Sequence, residues 1–233
     1  MQIKLTIFDL VGTTVYDDGF VKHTLFDTLR DHGVFVGWES IGRVMGLASP
    51  QAIERLTELR LGSDKEFEKA KMEEIYQDFL SRMKHFYLSD PQVCEIEGTT
   101  ELFQHLRESG IKIGVETGLD RQVTDAILNR LGWYDKIDFS VSSDDVKLGR
   151  PSPDMIFKAM EMAGISDPLE VMKVGDTIYD IIQGNAAGCG IVVGVTTGSY
   201  LREELAVYNC TRILESLTEL PAQLNSGKLV LEA

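Results

Sequence analysis

The chain has 233 residues, 43% of them hydrophobic and 26% charged, which is the composition of a soluble globular protein with room for one large domain or a domain with an insertion. Its formal net charge of −14 repels nucleic acid and anionic membranes, so neither is an expected partner. Cys94, Cys189 and Cys210 lack CxxC spacing, no apolar run approaches the ~20 residues of a membrane helix, and the N-terminus reads as a strand, not a signal peptide; a cytoplasmic protein with reduced thiols is expected.

Residues 3–9 read as a buried strand that ends on Asp9 and breaks into the turn Gly12-Thr13-Thr14. The carboxyl end of a parallel strand is where an α/β enzyme places a nucleophile. Residues 20–87 then change character. Phe20, Leu25 and Leu29 fall at helical spacing as far as His32. Ser49-Pro50 opens a second helix carrying Ile53, Leu56 and Leu59. Ser63-Asp64 begins a long charged helix with Phe67, Ala70, Ile75, Phe79 and Met83 on one stripe. No strand-like alternation interrupts this block, so it reads as an all-helical insertion.

From residue 97 strands and helices alternate. Helices are predicted over 99–109, 121–131, 152–163, 178–187 and 200–206, with Gly110 and Gly132 as stops. Strands are predicted over 111–115, 139–141, 171–174, 190–195 and, at an edge, 212–214. Such alternation implies an α/β fold: a doubly wound parallel sheet with helices on both faces. The organisation is a core of residues 1–16 plus 90–233, interrupted by a helical domain of residues 17–89.

Four pieces fall at strand ends: Asp9 with Gly12-Thr13; Thr117-Gly118; Lys147-Leu148-Gly149-Arg150-Pro151; and Gly175-Asp176-Thr177 with Asp180. Singly each is an ordinary turn or cap. Together they suggest carboxylates converging on one metal ion and one phosphoryl group.

In this order the pieces resemble the haloacid dehalogenase-like superfamily of hydrolases, and most closely its phosphonatase-like branch. The segments Phe8 to Thr14, Met45-Gly46-Leu47, Thr117 to Arg121, Leu131-Gly132-Trp133, Asp144 to Pro153, and Val174 to Asp180 with Gly184 and Ala187-Gly188 carry the likeness. The resemblance implies a Rossmann-like core with a mobile helical cap. It implies that Asp9 attacks phosphorus to form an aspartyl-phosphate, which water then hydrolyses. It implies a Mg²⁺ held by Asp9, Asp176 and the backbone carbonyl of Val11, with Asp180 holding a bound water or the metal. Thr117 and the Gly118 N–H would donate to phosphoryl oxygens, and Arg150 would neutralise nucleophile and phosphate. The substrate would be a small-molecule phosphate or phosphonate, and the first cap helix could pair two chains into a homodimer.

Two departures bear on the substrate. Phosphatases of the superfamily carry a general acid two residues after the nucleophile, and here that residue is Val11. Phosphonoacetaldehyde hydrolases form an imine on a lysine just after Met-Gly-Leu, and here Ala48-Ser49-Pro50 follows. Lys65, Lys69 and Lys71 read as a solvated face. Asp17-Asp18 reads as a turn with Gly19, or as a replacement acid reaching in from the hinge. His23 reads as a core or surface histidine, or as a residue of the first cap helix facing the substrate. Trp133 and the methionines 155, 160, 162 and 172 read as packing. The alternatives are a metal-independent haloacid dehalogenase and a phosphate-binding regulatory protein without turnover.

Overall fold

The computed structural model describes residues 2–58 and 65–225, with side chains for all of these except 65–68 and 225. Six strands form one parallel sheet: β1 (Leu5–Asp9), β2 (Lys112–Thr117), β3 (Phe139–Ser142), β4 (Val171–Gly175), β5 (Ile191–Val195) and β6 (Arg212–Leu214). Their order is β3-β2-β1-β4-β5-β6. The chain leaves β1 toward β2 on one side and later returns to β4 on the other. That switch point opens a crevice at the carboxyl ends of β1 and β4. The central strands β1, β4 and β5 are buried along their whole length, because helices cover both faces.

Between β1 and β2 come α1 (Phe20–Asp31), α2 (Trp38–Gly42), α3 (Ser49–Thr57), α4 (Lys65–Ser89) and α5 (Thr99–Glu108). The rest are α6 (Arg121–Leu131), α7 (Asp154–Ala163), α8 (Ile178–Ala187), α9 (Arg202–Leu205) and α10 (Leu220–Asn225). Among the described residues no strand lies within 20–89, as the missing alternation implies. No described helix is long and apolar enough to cross a membrane.

The elements follow from local signals. Asp120 caps α6 by accepting from the Val123 N–H at 2.8 Å, and Gly132 ends it in the left-handed region. Thr177 and Asp180 form a reciprocal capping box at the start of α8. Trp133 is fully buried against Phe103, as expected for packing.

Several expectations need correction. The short helix α2 was not legible as one. Ala70 is exposed and off the α4 stripe, because it lies five residues before Ile75, out of phase with Ile75, Phe79 and Met83. Met162 is 48% exposed, two residues past buried Met160 and so on the other face of α7. The helix α3 does open at Ser49-Pro50, and the Ser49 N–H and hydroxyl both donate to the Gly118 carbonyl, at 3.0 and 3.3 Å. Leu59, the Ser63-Asp64 start, and the Lys65 and Phe67 side chains lie outside what is described.

The helical insertion sits directly on the crevice. The Tyr179 hydroxyl donates to the Arg43 carbonyl at 2.7 Å, and the Tyr200 hydroxyl to the Gly42 carbonyl at 3.4 Å. Gly46 has φ +97°, and a Cβ there would stand 2.5 Å from Thr177 Oγ1. Only glycine fits so close an approach of Met45-Gly46-Leu47 to the β4 loop.

Candidate active site

Asp9 ends β1 with 4% of its surface exposed. Arg150 Nη2 donates to its Oδ1 at 2.7 Å, and Arg150 Nη1 donates to Asp180 Oδ1 at 2.6 Å. The planar guanidinium thus ties two carboxylates from different loops. Behind them, Lys173 Nζ lies 2.8 Å from Asp180 Oδ1 and 2.9 Å from Glu116 Oε1. Both Lys173 and Glu116 are completely buried. Asp180 Oδ2 accepts from the Thr177 N–H and hydroxyl at 3.1 and 2.6 Å. Both oxygens of Asp180 are therefore engaged by protein donors.

Asp176 stands beside Asp9 at the end of β4. Its Oδ1 accepts from the Thr13 hydroxyl at 3.0 Å, and its Oδ2 from the Ser199 N–H at 2.8 Å. Gly12, at φ +89°, passes so close that a Cβ would meet Asp176 Oδ2 at 2.7 Å. The Thr197 hydroxyl donates to the Gly12 carbonyl at 2.7 Å and fixes the turn. The Thr117 hydroxyl accepts from the Leu119 N–H at 3.2 Å.

The carboxylates divide electrostatically. Burial raises the Asp9 pKa, opposed by Arg150 and aided by Asp180. Burial pushes Asp176 well above the carboxylate range, and the Asp9 and Asp180 charges add to it. Burial acts upward on Asp180 as well, but Arg150 and Lys173 overcome it and hold that carboxyl at about 2.

Asp9, Asp176 and Asp180 each present an oxygen within 4.8 Å of the others. With Glu116 they make four buried carboxylates against two buried cations, Arg150 and Lys173. Were all four ionised, two negative charges would be left over, and that excess in a buried site is what raises Asp9 and Asp176 when no cation is bound. An all-oxygen donor set with that excess fits a hard divalent cation.

Asp9, Val11, Thr117, Gly118, Arg150 and Asp176 line one pocket at the crevice. Asp180 lies behind it rather than in its wall. The helical insertion supplies the roof: Val21, Leu25, Val44, Met45, Leu47 and Phe79, with Asp17 and Ser49 the polar members. No lysine lines this pocket among the described residues. Lys69 is exposed, Lys71 Nζ bonds His32 Nδ1 and Glu74, and Lys147 is exposed on the Arg150 loop. His23 is exposed against Trp38, with ring centroids 4.6 Å apart.

Sequence reading missed Glu116, Lys173 and Ser199, and named Thr13 only as part of the turn after Asp9. Lys173 and Glu116 carried a signal, since charges inside apolar strands must find partners. Ser199 carried none, because it acts through its backbone N–H.

The sequence profile of haloacid dehalogenase-like hydrolases matches residues 6–194. A phosphonoacetaldehyde hydrolase of Bacillus cereus is 33% identical over 231 residues, covering 93% of this chain and 86% of its own. One from Bacillus cytotoxicus is 32% identical over 209 residues, covering 85% and 78%. Among solved structures, a phosphonoacetaldehyde hydrolase-like protein from Oleispira antarctica superposes with TM-score 0.82 at 20% identity, covering 100% of this chain and 96% of that one. A β-phosphoglucomutase from Clostridium difficile gives 0.78 at 19%, covering 98% and 97%. At such identities the structures speak for the fold alone.

Proposed function

This chain belongs to the haloacid dehalogenase-like hydrolases, and from that premise we propose that it hydrolyses a small organic phosphate or phosphonate, with Asp9 as nucleophile and Mg²⁺ as the cation. One observation carries this reading. Asp9, with one oxygen tied to Arg150, shares a pocket with Thr117, Gly118 and Asp176 beneath a helical roof. We take residues 17–89 as that roof, a cap, and 1–16 plus 90–233 as the catalytic core.

Asp9 attacks phosphorus and becomes an aspartyl-phosphate; water then attacks the phosphorus and frees Asp9. Arg150 holds the attacking carboxylate and offsets charge on the phosphoryl group. Thr117 and the Gly118 N–H orient phosphoryl oxygens. Asp9, Asp176 and the Val11 carbonyl would hold the Mg²⁺, and Asp180, whose oxygens are taken, would reach it only through a bound water. When bound, the cation would offset the repulsion between an anionic nucleophile and an anionic substrate.

Imine-assisted cleavage of a carbon–phosphorus bond finds no support in a pocket without a described lysine. We therefore favour a phosphate ester or a similarly activated phosphoryl compound. The test is hydrolysis of nitrophenyl phosphate with magnesium. Asp9→Asn and chelation should each reduce turnover to background, with the fold of Asp9→Asn intact. Substantial turnover in either condition overturns the reading.

A further inference from the structure

The proposed reaction leaves one requirement unmet. Expelling an alkoxide needs a proton, and the residue two positions after Asp9 is Val11, which has none to give. Among the described residues, one other carboxyl lines the pocket from outside the cluster of Asp9, Asp176 and Asp180. Asp17, in the segment joining β1 to α1, lines the pocket together with Asp9, Thr117 and Arg150. Its neighbour Asp18 is exposed and outside it, and so is His23.

We propose, building on the hydrolase reading above, that Asp17 is the general acid–base residue of this site, and that it serves esters whose alcohol is small, uncharged and apolar. Asp17 is held in place by a bond to the start of α1: its Oδ1 accepts from the Phe20 N–H at 2.6 Å. It is the titratable side chain of an otherwise apolar roof built from Val21, Leu25, Val44, Met45, Leu47 and Phe79. The Ser49 hydroxyl is already given to the Gly118 carbonyl. The roof thus offers a leaving group one proton source and apolar contact, and it offers a charged leaving group no described partner.

The surroundings of Asp17 suit an acid. Burial raises its pKa, the Phe20 and Val21 N–H groups pull it down, Asp18 raises it and His23 lowers it. Tyr87 of α4 is fully buried, with its hydroxyl unpartnered among the described residues, and burial followed by the Asp17 and Asp9 charges keeps its proton on. The same pocket is lined by Asp9 and Arg150, bound to each other, and by Asp176, bound to the Thr13 hydroxyl and the Ser199 N–H.

The step balances. As the Asp9 carboxylate forms its bond to phosphorus, the phosphorus–oxygen bond to the alcohol breaks. The electron pair leaves on that oxygen, and the Asp17 carboxyl proton joins it. Asp17, now a carboxylate, takes a proton from the water that attacks the aspartyl-phosphate, and both aspartates return to their starting states.

Asp17→Asn separates this role from helix anchoring, because the amide oxygen still accepts from the Phe20 N–H. With magnesium present, kcat for a simple alkyl phosphate such as butyl phosphate should fall by about 10²-fold or more. The pre-steady-state burst of nitrophenol from nitrophenyl phosphate, whose leaving group needs no proton, should keep its rate, while its steady-state turnover slows because Asp17 no longer takes the proton of the attacking water. The alkaline limb of the alkyl-ester pH profile should disappear. Asp17→Ala should show the same ester selectivity with an added loss of Tm from the missing anchor. A nitrophenol burst slowed as much as alkyl-ester cleavage, or no loss on either ester, overturns the role of Asp17. Failure of the wild type to hydrolyse either ester overturns the parent reading instead.

Discussion

The floor and the roof of the pocket are built on opposite principles. On the floor, at the ends of β1 and β4, each charged side chain has a protein partner: Arg150 grips Asp9 and Asp180, Lys173 grips Asp180 and Glu116, and Thr13 with Ser199 grips Asp176. The roof is apolar and touches the core through few polar bonds, chiefly those of Ser49, Tyr179 and Tyr200. The floor is preorganised for one kind of chemistry, with its dipoles set before substrate arrives. The roof has no such commitment, and side-chain changes there alter what fits without disturbing the reacting groups. On this reading mechanism and specificity reside in different stretches of the chain, with Asp17 the one roof residue given a part in the chemistry.

The sharpest way to break that division is to remove a floor cation that touches no substrate. Lys173→Met leaves Glu116 unpaired in a fully buried position and takes one of two cations from Asp180. Unfolding measurements should show a loss of about 3–5 kcal/mol. Adding Glu116→Gln should recover part of it, so that the double variant loses less than the two singles together. Additive losses would mean that the pair is not a unit.

On the roof the expected effect is smaller and shows in selectivity. Replacing a terminal methyl of the ester's alcohol by a carboxylate should lower kcat/KM by about 10- to 200-fold, a difference of roughly 1–3 kcal/mol, because no described roof residue pairs with that charge. Indifference to the carboxylate would mean that an unseen cation serves the roof.

The smallest effect is on stability. Burial raises the Asp17 pKa above its value in the unfolded chain. The stability this gives the wild type is fully present below the unfolded pKa and is lost as pH rises through the folded one. Asn cannot ionise, so the Tm of Asp17→Asn relative to wild type should rise between acid and neutral pH. A constant difference would place Asp17 in contact with solvent in both states.

Sequence and structure agree unevenly along the same line. Asp9, Thr117 and Asp176 could be picked out because each ends or directly follows an apolar strand, a pattern set by local chemistry, whereas Arg150 and Asp180 were picked out through the motifs that carry the resemblance. The helices α6 and α8 were legible to the residue because caps mark their ends. Glu116 and Lys173 were not singled out; their pairing depends on β2 and β4 flanking β1, which is a property of strand order. Asp17 could be named but not placed, since its turn and its pocket position follow from how α1 sits over the sheet. Val11 was legible as a missing acid, whereas what stands in for it was not.

The central claim is that Asp9 itself carries the phosphoryl group. Mixing enzyme, magnesium and nitrophenyl phosphate, quenching in acid before steady state, and mapping phosphate by mass spectrometry tests it directly. The account predicts phosphate on Asp9 in the wild type and none in Asp9→Asn or after chelation. Turnover with no phosphate on the protein, or with phosphate on another residue, would contradict it.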